Sequence, residues 1–383
     1  MKIDPYKNKE SWIKWKVKNS FLIPDISRVN SDLILRYLND MEKGINVAHL
    51  SKKGGRSYVR LNTIKNRIVL IVKHFEARFM VEDIRKITED QVCSFFSDMR
   101  NGEIKKTDGQ IYKSVKDYTK IFKAFWHWYQ RVEKKRGLDI PDITLYLDTT
   151  GNKPDWVYLD EKQLKKLAES AKYEYKILIM FLFDTGIRAP TELVNIKVSD
   201  LMNDCKELNI SDEISKTFGR RIKLMICPEL IKEYIQNKDL KIDDYLFKLH
   251  PYVVNKYLKR LGKKVFGDEK SLAGQKYSDL TMYDFRHISC CYWLPRYKSE
   301  SALKYRFGWK KSDKIHYYSE MLGMKDTISE DDILIDVTKT ELEKRIEKSD
   351  REKDLMKDEI ETLRMQMKQI LQLTNQLTMQ VRN

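Results

Sequence analysis

Apolar positions in the first third of the chain fall at helical spacing. Leu61, Ile64, Ile68, Ile71, Val72 and Phe75 recur at steps of three and four, which predicts a helix at the start of the 60–100 stretch. Thr88 can cap a second helix carrying Val92, Phe95 and Phe96. A third is expected over about 114–134, with Tyr118, Ile121, Phe122, Phe125, Trp126 and Tyr129 on one broad face. Aromatics at that spacing read as core rather than as base-stacking platforms. Asn101 to Gln110 is a polar turn, and residues 1–57 add an N-terminal extension with a helix near 31–42 and a Gly54-Gly55 loop.

The pattern then changes. Residues 137–155 combine Pro, Gly, Asp and Thr and read as a linker. Asp160 is a good N-cap for the helix EKQLKKLAESA, and residues 175–184 form an apolar helix suited to burial. Residues 207–227 alternate instead as two short strands, LNI and RRIKLMI, around a turn at Thr217-Phe218-Gly219. Helix resumes near 229–236, 250–262 and 283–293, and a second helix is expected to start near Pro190 with Glu192 in its first turn. In the tail, Met356, Ile360, Leu363, Met367, Ile370, Thr374, Leu377 and Val381 keep a 4-3 alternation, the seam of a coiled coil within 338–383. The expected architecture is mainly α with a small β-hairpin.

Composition narrows the partner. The chain has 383 residues and a formal charge of +16. Residues 1–150 alone carry 30 Lys/Arg against 19 Asp/Glu, net +11. A segment so basic is expected to neutralise phosphates and gain affinity by counterion release; a solvated lysine-rich surface is the plainer alternative. The longest apolar run, Ile177 to Phe183, is far short of the roughly 20 residues that span a bilayer. The charged N-terminus has no signal-peptide core. Five cysteines form neither a CxxC pair nor an even disulfide set, so a reduced, intracellular protein without structural zinc is expected. No P-loop pattern is present.

Three segments carry candidate chemistry. FLFDTGIRAPTEL places Arg188 at a corner between helices, where its planar fork can meet two phosphate oxygens. LTMYDFRHISCCYWL puts Tyr283 and Arg286 on one helix face. YRFGWKKSDKIHYYSEM follows a Gly-Trp turn with Tyr318 nine residues after Trp309, and Lys216 sits at the tip of the expected hairpin.

These elements, TGIR, SKT, YDFRH, FGW and Tyr318, stand in the order and spacing of the tyrosine recombinase (phage-type integrase) superfamily, which the chain resembles over about residues 58–325, its variants being closer to archaeal members. The resemblance implies a helical core-binding domain over 58–136 and a catalytic domain over 156–330, closing on duplex DNA as a two-domain clamp and working as a tetramer. It also implies site-specific cutting and rejoining of DNA through a 3′-phosphotyrosyl intermediate, with no cofactor, metal or ATP. Tyr318 would be the nucleophile, Arg188 and Arg286 the charge clamp, and Lys216 the general acid. The neighbouring Tyr317 is the alternative nucleophile, one register away. Glu192 and His287 would support the site from behind. Tyr283 and Trp309 occupy positions where the family usually has histidine, and Glu192 follows Arg188 by four residues where three is usual. These departures keep two alternatives open: a DNA-binding architectural or regulatory protein with a weak or disabled site, and a type IB topoisomerase-like relaxase. Double-stranded DNA is the expected partner, with no membrane; the expected location is cytoplasmic and nucleoid-associated, or encoded by a virus or mobile element.

Overall fold

The structure, a computed structural model, describes residues 2–48, 54–151, 155–297 and 299–322, together with Ile360, Arg364, Met365 and Met367. The chain divides into two compact units, residues 1–315 and 316–383. The tail seam and the end of the expected catalytic domain beyond residue 322 lie outside the described residues, apart from those four, which are helical.

The first unit opens with five helices: α1 (Asn8–Lys18), α2 (Arg28–Lys43), α3 (Tyr58–Phe79), α4 (Glu89–Asn101) and α5 (Val115–Lys134). Each expected helix is present, and α4 starts where Thr88 and Gln91 form a reciprocal capping box. The aromatic face of α5 is core: Phe122, Phe125, Trp126 and Trp128 are buried, and Phe75 of α3 lies edge-on to Phe95 at 4.9 Å and to Phe122 at 5.5 Å.

Residues 1–57 are more than an extension. Tyr37 of α2 lies 5.2 Å from Phe125 and 5.1 Å from Trp128, and Trp12 of α1 is buried in the same core. Two indole N–H groups are satisfied on acidic side chains of α2, Trp12 on Glu42 and Trp128 on Asp40, each at 2.8 Å. Helix α1 leaves no clear periodicity because its four lysines alternate with apolar residues, of which Ile13 and Val17 are exposed and only Trp12 is buried. Much of the expected linker also belongs here. Trp126 donates to the Pro141 carbonyl and Gln130 to that of Ile140, both at 2.9 Å, and Leu147 is buried against the helices.

After Trp156 the chain builds a second core around α7 (Tyr173–Thr185), which from Ile177 to Phe183 is apolar around the helix and is almost wholly buried there. It is packed by α6 (Glu161–Glu169), α8 (Pro228–Asn237) and α10 (Asp284–Trp293). Asp160 caps α6 with a capping box, as its sequence predicts. A three-stranded antiparallel sheet, β1 (Leu201–Met202), β2 (Glu207–Ile210) and β3 (Arg220–Lys223), has order β1-β2-β3, with Leu208 opposite both Leu201 and Ile222. The two-residue β1 is too short to leave a pattern. The β2–β3 connection is also longer than expected: it spans residues 211–219, because Ser215 turns back onto the Ser211 carbonyl and Asp212 accepts the Gly219 amide at 2.6 Å. The helix expected at Pro190 shrinks to a short 3₁₀ turn over Leu193–Asn195, preceded by a cis Ala189-Pro190 bond. Helices α9 (Pro251–Phe266), α11 (Glu300–Phe307) and α12 (Asp313–Met321) complete the described elements. The N-terminus reaches this half of the unit: Ile3 and Asn195 exchange hydrogen bonds of 2.6 and 3.0 Å.

Candidate active site

Helix α7 ends at Gly186, whose φ of +57° opens a left-handed corner. A Cβ there would lie 2.4 Å from a Phe307 ring carbon and 2.7 Å from Ser289 Oγ, so only glycine fits this approach. The Gly186 carbonyl at that corner is buried, and Arg286 of α10 donates to it through Nη1 at 2.6 Å. Its other terminal nitrogen donates to the Phe307 carbonyl at 2.5 Å. Arg188, two residues past the corner, donates through Nη2 to the next carbonyl, that of Gly308, at 2.8 Å. Two arginines nearly a hundred residues apart thus converge on consecutive carbonyls at the end of α11.

Glu192 holds the first of them. It is fully buried, and each of its oxygens accepts two hydrogen bonds. Oε1 receives Arg188 Nη1 at 2.8 Å and Arg220 Nη1 at 3.2 Å. Oε2 receives the Arg188 amide at 2.9 Å and Arg220 Nη2 at 2.8 Å. Burial alone pushes this carboxyl up, but the Arg220 hydrogen bonds and charge, joined by those of Arg188, outweigh it and hold it down at about 2. The four-residue spacing from Arg188 is accommodated by a turn in which the Glu192 amide donates to the Arg188 carbonyl at 2.8 Å, bringing the carboxylate back to Arg188.

A second buried pair lies behind. Asp184 Oδ1 meets Arg306 Nη2 at 3.0 Å, while Oδ2 accepts the consecutive amides of Met225, Ile226 and Cys227 at 2.9, 2.7 and 3.0 Å. Arg306 lies over the Trp293 ring at 4.2 Å. Four guanidiniums therefore face two carboxylates, an excess of two positive charges in a water-poor site. Among the described residues Arg286 meets no carboxylate. Burial first, then the nearby Arg188 charge, pulls its pKa down to about 10, which leaves it charged at neutral pH. An unbalanced pair of fixed cations is suited to an oxyanion carrying more than one charge.

The remaining predicted residues sit around this cluster in different ways. Lys216 is exposed on the 211–219 loop, and its ammonium makes no hydrogen bond or ion pair among the described residues. Its neighbour Thr217 donates to the Gly308 carbonyl at 2.8 Å, which ties the loop to the arginine pair. Trp309 is half-buried, stacked on Phe307 at 4.9 Å, with Arg286 at 5.9 Å from its ring. Tyr283 is exposed at the start of α10, and His287 stacks on Trp156 at 4.8 Å and 26°. Asp284, between them, accepts the Val157 and Thr281 amides at 3.1 and 2.7 Å, fastening α10 to the segment that follows Trp156. Tyr318 and Tyr317 lie on α12 in the second unit, rings 5.0 Å apart, whereas the arginine cluster is built wholly from the first.

Arg220, Arg306 and Asp184 were missed by reading the sequence. One signal was available: Asp184 ends the apolar run Ile177–Phe183, and a carboxylate there must be paired inside. The two arginines lie in basic surroundings that look solvated. Among the described residues no group of three or more His, Cys, Asp or Glu is placed to hold a metal ion, and no helix is long and apolar enough to cross a membrane.

The chain is similar to known proteins over this same region. Residues 157–322 match the family model described as the phage integrase family. The tyrosine recombinase XerA of Saccharolobus solfataricus is 28% identical over 196 residues, a stretch covering 49% of this chain and 62% of that protein, so the match spans less than two thirds of the relative's length. Among solved structures, a lambda integrase dimer bound to a COC′ core site aligns with a TM-score of 0.55 at 14% identity, covering 77% of this chain and 78% of that one. The Tn1549 transposon integrase in complex with transposon right end DNA also gives 0.55, at 15% identity, covering 76% and 94%. The likeness to these structures is one of fold. With the TGIR, YDFRH and FGW segments all inside the matched stretch, residues 157–322 are a phage integrase family domain, and the chain is similar there to a tyrosine recombinase.

Proposed function

We propose that this chain is a site-specific DNA recombinase that cuts and rejoins duplex DNA through a 3′-phosphotyrosyl intermediate, using no metal and no ATP. The observation that carries the reading is the convergence of Arg188 and Arg286 on the Phe307 and Gly308 carbonyls with two positive charges in excess. A phosphodiester under attack gains negative charge on its non-bridging oxygens, and two pre-set guanidiniums stabilise that charge without reorganising. In this reading the Tyr318 hydroxyl gives its proton to water as its oxygen attacks phosphorus, the bond from phosphorus to the 5′-oxygen breaks, and Lys216 gives that oxygen its proton. An incoming 5′-hydroxyl reverses the step on the partner strand, so the bond energy is conserved in the phosphotyrosine. Glu192 holds Arg188, while His287 supports α10. Trp309 and Tyr283 offer an indole N–H and a phenol where histidines are usual, as hydrogen-bond donors rather than bases.

The basic residues 1–150 embrace the duplex together with the 156–330 domain, and four copies act on paired sites with the 338–383 tail contributing to assembly. The exposed phenol at Tyr283 favours a second reading, a DNA-binding protein on the same fold whose site is disabled. One experiment separates the two. Purified protein is incubated with nicked duplexes from the genomic DNA flanking its gene and run on a denaturing gel. A covalent protein–DNA band is expected, lost in Tyr318→Phe while duplex binding is retained. Adduct lost in Tyr317→Phe instead shifts the nucleophile by one residue, and binding without any adduct establishes the second reading.

A further inference from the structure

Arg220 opens β3 and is almost completely buried, yet none of the motifs includes it. Its guanidinium joins three segments that are far apart in sequence. Two nitrogens reach both oxygens of Glu192 at 2.8 and 3.2 Å. Nε donates to the Arg306 carbonyl at 2.9 Å, just before Phe307 and Gly308, whose carbonyls hold the arginine pair. Nη1 also lies 3.5 Å from Ser215 Oγ, on the residue preceding Lys216.

Lys216 itself has no such hold. It is exposed and makes no hydrogen bond or ion pair among the described residues, so the positions of its neighbours decide where its ammonium can go. Thr217 ties one side to the Gly308 carbonyl, and Arg220, four residues on, ties the returning strand to Glu192 and Arg306. A lysine at position 220 would keep the charge but not the fork, because one ammonium cannot span a carboxylate and a carbonyl at once.

We infer that Arg220 is a positioning residue for the general acid, fixing the 211–219 loop on the arginine clamp so that Lys216 reaches the leaving 5′-oxygen. This rests on the phosphotyrosyl reading above. A general acid is dispensable when the leaving group is a thiolate, since a thiol needs no proton to depart at neutral pH. The full-length protein and its Arg220→Lys and Lys216→Ala variants are therefore compared on two nicked duplexes, one with the ordinary scissile phosphodiester and one with sulfur at the bridging 5′ position. Adduct formation on the oxygen substrate is expected to slow by about 100-fold in Arg220→Lys, the lower end of what a general acid supplies. On the sulfur substrate the loss should shrink to within about threefold, as for Lys216→Ala, and the double variant should be no slower than Lys216→Ala alone. Thr217→Val, which removes the other tie, should show the same sulfur-reversible pattern if Arg220→Lys does not fold. Equal slowing on both substrates, in whichever variant folds and binds DNA normally, overturns the inference and leaves Arg220 acting on the clamp through Arg188. Absence of any adduct from the unaltered protein on either substrate takes down the underlying reading as well, so the two failures are distinguishable.

Discussion

Replacing Glu192 by glutamine tests whether the buried arginines depend on this one carboxylate. The carboxylate accepts four hydrogen bonds, two at each oxygen, all from arginine N–H groups. A glutamine amide has one oxygen; its NH₂ faces two of those donors whichever way the group is turned. Two arginine donors lose their acceptor, and Arg188 and Arg220 lose their shared counter-charge. Breaking a buried ion pair by removing one partner costs about 3–5 kcal/mol. The proton equilibrium leads to a similar size: a carboxyl held at about 2 in the folded protein, against an ordinary 4.5, corresponds to about 3 kcal/mol at neutral pH. The two routes agree because both report the same arginine interactions. The sign follows from the direction of the shift. The folded pKa is depressed, so the stabilisation is complete above pH 4.5 and is lost as pH falls towards 2. Urea unfolding of both full-length proteins, followed by tryptophan fluorescence, should show Glu192→Gln about 3 kcal/mol less stable at pH 7. At about pH 3.5 the gap should have narrowed by about 1.4 kcal/mol, because the parent has begun to lose what the variant never had. A gap below about 1 kcal/mol at pH 7, or one that widens on acidification, would refute the reasoning.

Three further outcomes are expected. Gly186→Ala combines a left-handed backbone with a Cβ 2.4 Å from the Phe307 ring, whereas Gly137, at φ +83°, has open space around the same atom. Gly137→Ala should cost only the backbone strain of about 1–2 kcal/mol, and Gly186→Ala should lower the melting temperature clearly further; equal shifts would mean that the Phe307 contact carries no energy. A fragment of residues 1–150 should fold and bind duplex DNA with a steep salt dependence, each lost phosphate contact lowering the log–log slope by about 0.9. A fragment of 58–136, without Trp12, Ile34 and Tyr37 from the shared core, should show little helical circular dichroism, and a well-folded 58–136 would return α1 and α2 to the status of an appendage.

Local rules made the long helices and the chemistry legible from the chain alone. Helices α3, α4, α5 and α6 follow from apolar periodicity and from the caps at Thr88 and Asp160, since a helix face and a cap are set by residues a few positions apart. Arg188, Lys216, Arg286 and Tyr318 were picked out by short segments in a recognisable order, which needs no knowledge of distance. The lysine-rich α1 and the two-residue β1 left no pattern to read, and only packing against α3 and pairing with β2 define them. The arginine cluster belongs wholly to tertiary structure. Arg220 and Arg306 sit in runs of charge that read as solvated surface, but the fold withdraws both from water. Withdrawing a guanidinium is costly unless most of its N–H groups find acceptors, and those acceptors, Glu192, Asp184 and the carbonyls of Gly186, Arg306, Phe307 and Gly308, come from segments up to 122 residues away. Sequence spacing carries no information about that convergence; it comes into being only when the corner after α7, the 211–219 loop and the end of α11 are brought together.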